Sequence, residues 1–270
     1  MALSTLLREQ RLEERLEKLP PALVSTLKVG AQLAGVPAGR TLPTGFAPVD
    51  RQLPNGGLLT GALVELAVAG AASLATTLGL AACRSAQRAA EQLGGAVPWC
   101  AFIDPSRSLY APGVAHAGVQ LDRLLVVRPS IESLSRVALR VVESQCFAVV
   151  VIDTVGVPGG ELNVPLGCWP RIVRRLALAL QETQSTALLI TDSTARRPLT
   201  LPVAQRIELE RNQAHKLILQ VAKDRQGRVS APVSIDLHER SSWAARGALQ
   251  SQRQSGRGQL REDEGVRHVG

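Results

Sequence analysis

The middle of the chain alternates largely apolar runs with longer segments of helical pattern. The apolar runs lie at residues 62–68, 97–103, 124–127, 147–152 and 187–191. The segments of helical pattern lie at residues 73–93, 131–145 and 169–183. A strand that is apolar throughout is buried on both faces, and parallel strands joined by helices meet that requirement. The alternation predicts an α/β fold with a mostly parallel central sheet flanked by helices.

The two ends of the chain differ from this core. Residues 206–211, 216–222 and 233–237 are strand candidates with no helix between them, which predicts antiparallel strands at the C-terminal end of the sheet. We expect a helix over residues 3–19, in which Leu12, Leu16 and Leu19 form an apolar stripe. The predicted division is an N-terminal helix and connector (1–43), a core (44–239) and a disordered basic tail (240–270).

Charge and composition bear on partners and location. The net charge is +8, which favours contact with polyanions such as nucleic acid. Arg196 and Arg197, in a loop before a proline, are the candidates for nucleic-acid contact. Arg171, Arg174 and Arg175 are interpreted as a solvated helix face, with a phosphate-contacting patch as the alternative. Aromatic residues make up 3% of the chain, which argues against a platform for stacked bases.

Several kinds of protein are disfavoured by the same sequence. No apolar run reaches the roughly 18 residues that span a bilayer, and the N-terminus lacks the apolar stretch of a secretory signal. The cysteines have no C-x-x-C spacing, so we expect no metal site and mostly buried, reduced thiols. We therefore expect a cytoplasmic protein without a membrane anchor.

The junction at residues 64–79, VELAVAGAASLATTLG, has the position of a phosphate-binding loop but not its residues. A working loop reads G-x-x-x-x-G-K-[ST], in which the Lys neutralises the phosphates and the hydroxyl binds Mg²⁺. Counted along the sequence, Leu74 takes the place of the Lys and Ala75 that of the Ser or Thr. We therefore expect no cofactor, no catalytic residues and no enzyme activity. The alternative is an atypical nucleotide-binding ATPase that uses Gly70, the helix N-terminus and Asp153.

Several segments in order resemble RecA recombinases. They are TGFAPVDRQLPNGGLLTGALVELA (44–67), CAFIDPSRSLYAPGVAHAGVQLDRLLVVRP (100–129), AVVVIDTV (148–155) and ALLITDSTAR (187–196). The first has the family's Thr-Gly pair, an Asp that opens a helix and a Gly-Gly turn before a strand. The resemblance implies a RecA-like core from about residue 44 to residue 237.

Departures from the family pattern fall on its nucleotide site. Leu74 and Ala75 replace the Lys and Thr of the phosphate loop, and Ser106 falls where the family has the glutamate that activates water. Thr194 falls near the glutamine that senses the terminal phosphate, whereas Asp153, on the Mg²⁺ side, is kept. The glycine-rich loop that binds single-stranded DNA is replaced by a short segment, which leaves direct DNA contact an open question.

This set of departures resembles the ImuA family, the degenerate RecA-like accessory proteins of bacterial translesion-synthesis mutasomes. The resemblance implies a non-catalytic adaptor in SOS mutagenesis and translesion DNA synthesis. Its implied partners are RecA, an ImuB-like Y-family polymerase homologue and an error-prone replicative-type polymerase. We expect Leu12, Leu16 and Leu19 to contact a partner such as a neighbouring RecA-like core, with packing of this stripe on the chain's own sheet as the alternative. SulA-like cell-division inhibitors share the degenerate core and are the alternative.

Overall fold

The computed structural model describes the core of the chain. The described residues are 40–69, 74–156, 162, 164–181, 183–194, 201–212 and 216–236. The predicted N-terminal helix with Leu12, Leu16 and Leu19, the predicted tail, and the loop with Arg196 and Arg197 lie outside the described residues.

Strands and short or long helices alternate along the described chain. The strands are β1 (Thr41–Leu42), β2 (Leu58–Leu59), β3 (Ala62–Ala69), β4 (Trp99–Ile103), β5 (Leu124–Val127), β6 (Phe147–Asp153), β7 (Thr186–Asp192), β8 (Gln205–Arg211), β9 (Leu217–Lys223) and β10 (Val233–Ile235). The α-helices are α1 (Ala47–Asp50), α2 (Ala75–Gln92), α3 (Ala111–His116), α4 (Ile131–Glu143) and α5 (Trp169–Leu180).

The central sheet has the strand order β10-β9-β8-β3-β7-β6-β4-β5. The six strands from β8 to β5 in this order are parallel, whereas β9 and β10 join by antiparallel pairing. Burial follows this division, because β3 and β7 are buried along nearly their whole length while β8 and β9 alternate buried and half-buried residues. The predicted α/β fold with antiparallel strands at the C-terminal end is confirmed.

Helices cover both faces of the sheet. On one face α2 packs through Leu78 and Cys83, and a Cβ on Gly79 would lie 3.2 Å from Val151 of β6. On the other face α4 and α5 pack against each other and against the sheet. None of the described helices is both long and apolar enough to cross a membrane.

Some short elements and one thiol differ from expectation. The sequence pattern did not indicate β1, β2, α1 or α3, because elements of two to six residues carry no measurable period. Asp50 ends α1 instead of opening a helix, and its carboxylate accepts hydrogen bonds from the backbone N–H groups of Thr44 and Gly45. Cys146 is exposed, whereas Cys83 and Cys100 are buried free thiols as predicted.

Gly57 is required where β1 pairs with β2. Its φ of 177° is ordinary extended backbone, but a Cβ there would lie 2.6 Å from the carbonyl oxygen of Leu42. We expect Gly57→Ala to lower the free energy of unfolding by about 1–3 kcal/mol, because the backbone of β1 must move. Urea denaturation measures the loss. Gly167→Ala is the control, because apart from its chain neighbours no described atom lies within 4 Å of its Cβ position. Equal stability of the two variants would contradict the argument.

Candidate functional site

The candidate site lies at the carboxyl ends of the parallel strands. The chain leaves β3 toward the face covered by α2, and it leaves β6 toward the face covered by α4 and α5. In open α/β sheets ligands bind where neighbouring strands send their connections to opposite faces. Such points occur between β3 and β7 and between β4 and β6 in this sheet. The residues that end these strands therefore decide what the site can hold.

The start of α2 has a backbone that favours glycine at Leu74. Leu74 is the N-cap residue with a φ of 65°, a left-handed conformation that is unusual for a branched side chain. In G-x-x-x-x-G-K-[ST] the Lys and the Ser or Thr stand at the start of the helix. Counted along the sequence, Leu74 takes the place of the Lys and Ala75 that of the Ser or Thr, and the structure places these two residues at the N-cap and the first position of α2. Neither residue carries an ammonium group or a hydroxyl.

Asp104, directly after β4, is fully buried and hydrogen-bonded within its own loop. Its carboxylate accepts hydrogen bonds from the hydroxyl of Ser106 at 2.8 Å and from the backbone N–H groups of Ser108 and Leu109 at 3.1 and 2.9 Å. Ser106 was expected at the position of a water-activating glutamate. Its hydroxyl instead helps to hold the loop that presents the exposed Tyr110.

Asp153 ends β6 beside Asp104 and is buried as well. Its Oδ1 accepts hydrogen bonds from the backbone N–H groups of Val155 and Gly156, both at 2.9 Å. Burial raises the pKa of the Asp153 carboxyl, the two N–H donors oppose the increase, and the charge of Asp104 adds to it. Gly156 has a φ of 70°, and a Cβ there would lie 2.9 Å from Cβ of Ser106, so the two loops pack closely.

Thr194 is likewise engaged by a neighbouring carboxylate. Asp192, the last residue of β7, accepts hydrogen bonds from the backbone N–H of Thr194 at 2.7 Å and from its hydroxyl at 2.6 Å. Thr194 was expected near a phosphate-sensing glutamine. A threonine side chain held in this turn is shorter than a glutamine and already has its acceptor.

Glu65 is a buried acid that sequence reasoning did not single out. It lies in the middle of β3, where its carboxylate accepts a hydrogen bond from Thr191 at 2.7 Å and pairs with Arg206 at 3.4 Å. The available signal was a lone glutamate in an otherwise apolar strand, since such a group needs a partner when buried. The partners lie on β7 and β8, so this cluster joins the three central strands.

The assembled groups do not match the donors that a magnesium nucleotide requires. Such a site needs glycine backbone and a Lys ammonium at the helix start, and a carboxylate that is open to the metal. Here Leu74 and Ala75 occupy the helix start, and Asp104 and Asp153 bond their own loops. Within the described ranges no three Asp, Glu, His or Cys side chains come together as metal ligands.

The raised pKa of Asp153 gives a pH-dependent stability. The folded pKa of Asp153 exceeds the usual value of 3.8, so the native state holds this proton more tightly than the unfolded state does. The carboxyl therefore lowers the free energy of unfolding as pH rises from 3.8 to the folded pKa. We expect Asp153→Asn, which keeps the oxygen acceptor, to gain stability relative to wild type as pH rises from 3.8, the ordinary value of the carboxyl, toward the higher folded pKa, as measured by urea unfolding. Asp122→Asn, at an exposed position, is the control. A difference that does not change with pH would contradict the expectation.

Comparison with known proteins agrees with the fold described above. The family model described as "RecA N-terminal domain" matches residues 24–169, which is more than half of the chain. Protein RecA of Clavibacter michiganensis is 34% identical over 161 residues, covering 55% of this chain and 42% of the relative. Protein RecA of Kineococcus radiotolerans is 31% identical over 178 residues, covering 62% and 48%. The chain thus spans less than half the length of these relatives. The chain belongs to the RecA N-terminal domain family.

Proposed function

We propose that this protein is a non-catalytic RecA-like adaptor of the ImuA type, acting in SOS mutagenesis and translesion DNA synthesis. In this role it associates with RecA and with an ImuB-type polymerase-like partner. The observation that carries the proposal is the state of the strand-end carboxylates. Asp104 and Asp153 keep the framework of a nucleotide site, but both are hydrogen-bonded to the backbone of their own loops.

Electrostatics at this edge oppose a bound triphosphate. Ala75 supplies no positive charge at the helix start, and the partial charge of a helix N-terminus is worth far less than an ammonium against several phosphate charges. Asp104 and Asp153 add negative charge in a buried setting, where screening by water is weak. The same fold therefore serves better as a scaffold than as an ATPase.

An exposed apolar strand at one edge of the sheet favours association with other proteins. Among the described strands β5 has no neighbour on its outer side, and Leu125 and Val126 are exposed there. Trp99, at the start of β4, is 42% exposed, with the guanidinium of Arg123 5.5 Å from the centre of its ring. Unpaired apolar edges of this kind are rare on monomers, because they invite pairing with another chain.

The partners follow from the family and the proposed role. The curated relatives are named RecA, and a RecA-like core without its own nucleotide chemistry is suited to join a RecA filament or to modulate it. The polymerase-like partner and an error-prone replicative-type polymerase complete the proposed assembly. The adaptor would then bring lesion-bypass synthesis to DNA that RecA covers.

Nucleotide titration tests the non-catalytic part of the proposal. We expect isothermal calorimetry with Mg-ATP to show no binding to the purified protein, and a phosphate-release assay to show no hydrolysis, because the helix start lacks the required cation. RecA from the same organism, measured in parallel, is the positive control. A micromolar affinity for Mg-ATP, or adenine nucleotide that copurifies with the protein, would contradict the proposal.

Association tests the adaptor part. We expect the purified protein to bind purified RecA or the purified polymerase-like partner in calorimetry or biolayer interferometry. Asp153→Ala should leave this binding unchanged, because the carboxylate is buried and faces its own loop. Retrieval of the division-ring protein from damaged cells, without recombinase or polymerase, would favour a SulA-like inhibitor instead. Loss of partner binding in Asp153→Ala would point to a functional carboxylate.

A further inference from the structure

The outer surface of the layer formed by α4 and α5 carries an excess of arginine. Five of its exposed residues are arginines: Arg136, Arg140, Arg171, Arg174 and Arg175. The exposed acids of the two helices are Glu132 and Glu143, both on α4. We call this surface the arginine face. Because α4 and α5 pack side by side, the face is continuous.

One ion pair shows that the two helices share this surface. Arg175 of α5 lies 3.5 Å from Glu143 of α4, and both side chains are largely exposed. Such an exposed pair contributes little to stability. It shows, however, which sides of α4 and α5 lie next to each other. The other four arginines have no ion-pair partner among the described residues. Their charges are therefore available to a ligand.

An apolar residue continues the arginine stripe on α5. Arg171, Arg174 and Leu178 follow the helical spacing of three and four residues, and Leu178 is 63% exposed. Arginine is enriched at protein–protein interfaces, and complementary charges there orient the partner, so arginines beside an exposed apolar side chain offer both a charged and an apolar contact.

We infer that the arginine face docks an acidic segment of a partner protein, with an apolar side chain of that segment on Leu178. The inference rests on the proposed adaptor function and names one of its contact surfaces. Nucleic acid fits less well, because Leu178 places an exposed apolar side chain beside the arginines and none of the described residues on the face is aromatic. Carboxylates of a protein segment can form bidentate bonds with single guanidinium groups, and an apolar side chain of the same segment can contact Leu178.

The test compares charge reversal on two surfaces. Arg171→Glu with Arg174→Glu is measured against Lys223→Glu with Arg225→Glu, which makes the same charge change at exposed positions near the end of β9. Affinities of the full chain for purified RecA and for the purified polymerase-like partner are measured by biolayer interferometry at low and physiological salt. Circular dichroism melts confirm that every variant folds.

We expect reversal on the arginine face to weaken binding to one partner by about tenfold or more, and the control reversal to change it by less than about threefold. Leu178→Ser should weaken the same complex, and Arg171→Lys with Arg174→Lys should weaken it less than the reversal does. Unchanged binding after reversal on the arginine face, or equal losses in the two double variants, would overturn the inference.

Two further outcomes distinguish docking of an acidic protein segment from binding of nucleic acid and from failure of the proposed adaptor function. Fluorescence anisotropy with a single-stranded and a duplex oligonucleotide tests the nucleic-acid reading directly. If reversal abolishes oligonucleotide binding while partner affinity is unchanged, the face binds nucleic acid and the inference is wrong. If the wild-type protein binds neither partner, the proposed adaptor function itself fails, and this docking surface fails with it.

Discussion

Burial of the central strand β3 on both faces is the constraint on which the rest of the structure depends. β3 is hydrogen-bonded to β7 on one side and to β8 on the other, and seven of its eight residues are buried. A strand in this position must be shielded on both faces. α5 packs on one face, and on the other Val64 and Leu66 belong to the apolar cluster that also holds Val49, Leu53 and residues of α2. Its one buried charge, Glu65, is tolerated because Thr191 and Arg206 on the flanking strands bond it.

The same constraint brings carboxylates together at one edge of the sheet. Parallel strands end at a common edge, so Asp104 and Asp153 become buried neighbours, and burial raises the pKa of the Asp153 carboxyl, with the charge of Asp104 adding to the increase. Backbone N–H groups of each loop donate to the aspartate of that loop. Both oxygens of Asp104 and Oδ1 of Asp153 thereby help to order the loops, which links the order of this edge to its proposed lack of catalysis.

The charged groups on the outer surface of α4 and α5 are arranged differently from the carboxylates at the strand ends. At the strand ends Asp104, Asp153 and Asp192 each accept hydrogen bonds from their own loop, whereas four arginines of the arginine face have no ion-pair partner among the described residues. Exposed guanidinium groups cost little when they stay hydrated, so their lack of partners does not burden the fold. These guanidinium groups leave a positively charged surface that is complementary to an acidic partner. Such a surface is consistent with a scaffold that acts by binding other proteins.

The sequence by itself determined the fold class, the order of the long strands and helices, and the absence of a lysine at the start of α2. Continuous apolar runs and helical periods are local properties, so the strands and the long helices were predicted to within a few residues. Tertiary structure alone decided the left-handed backbone at Leu74, because a positive φ is invisible in a residue count. It also decided the partners of Asp104, Asp153 and Glu65 and the contiguity of the arginine face. These depend on which strands and helices become neighbours, and neighbours distant along the chain are chosen by packing.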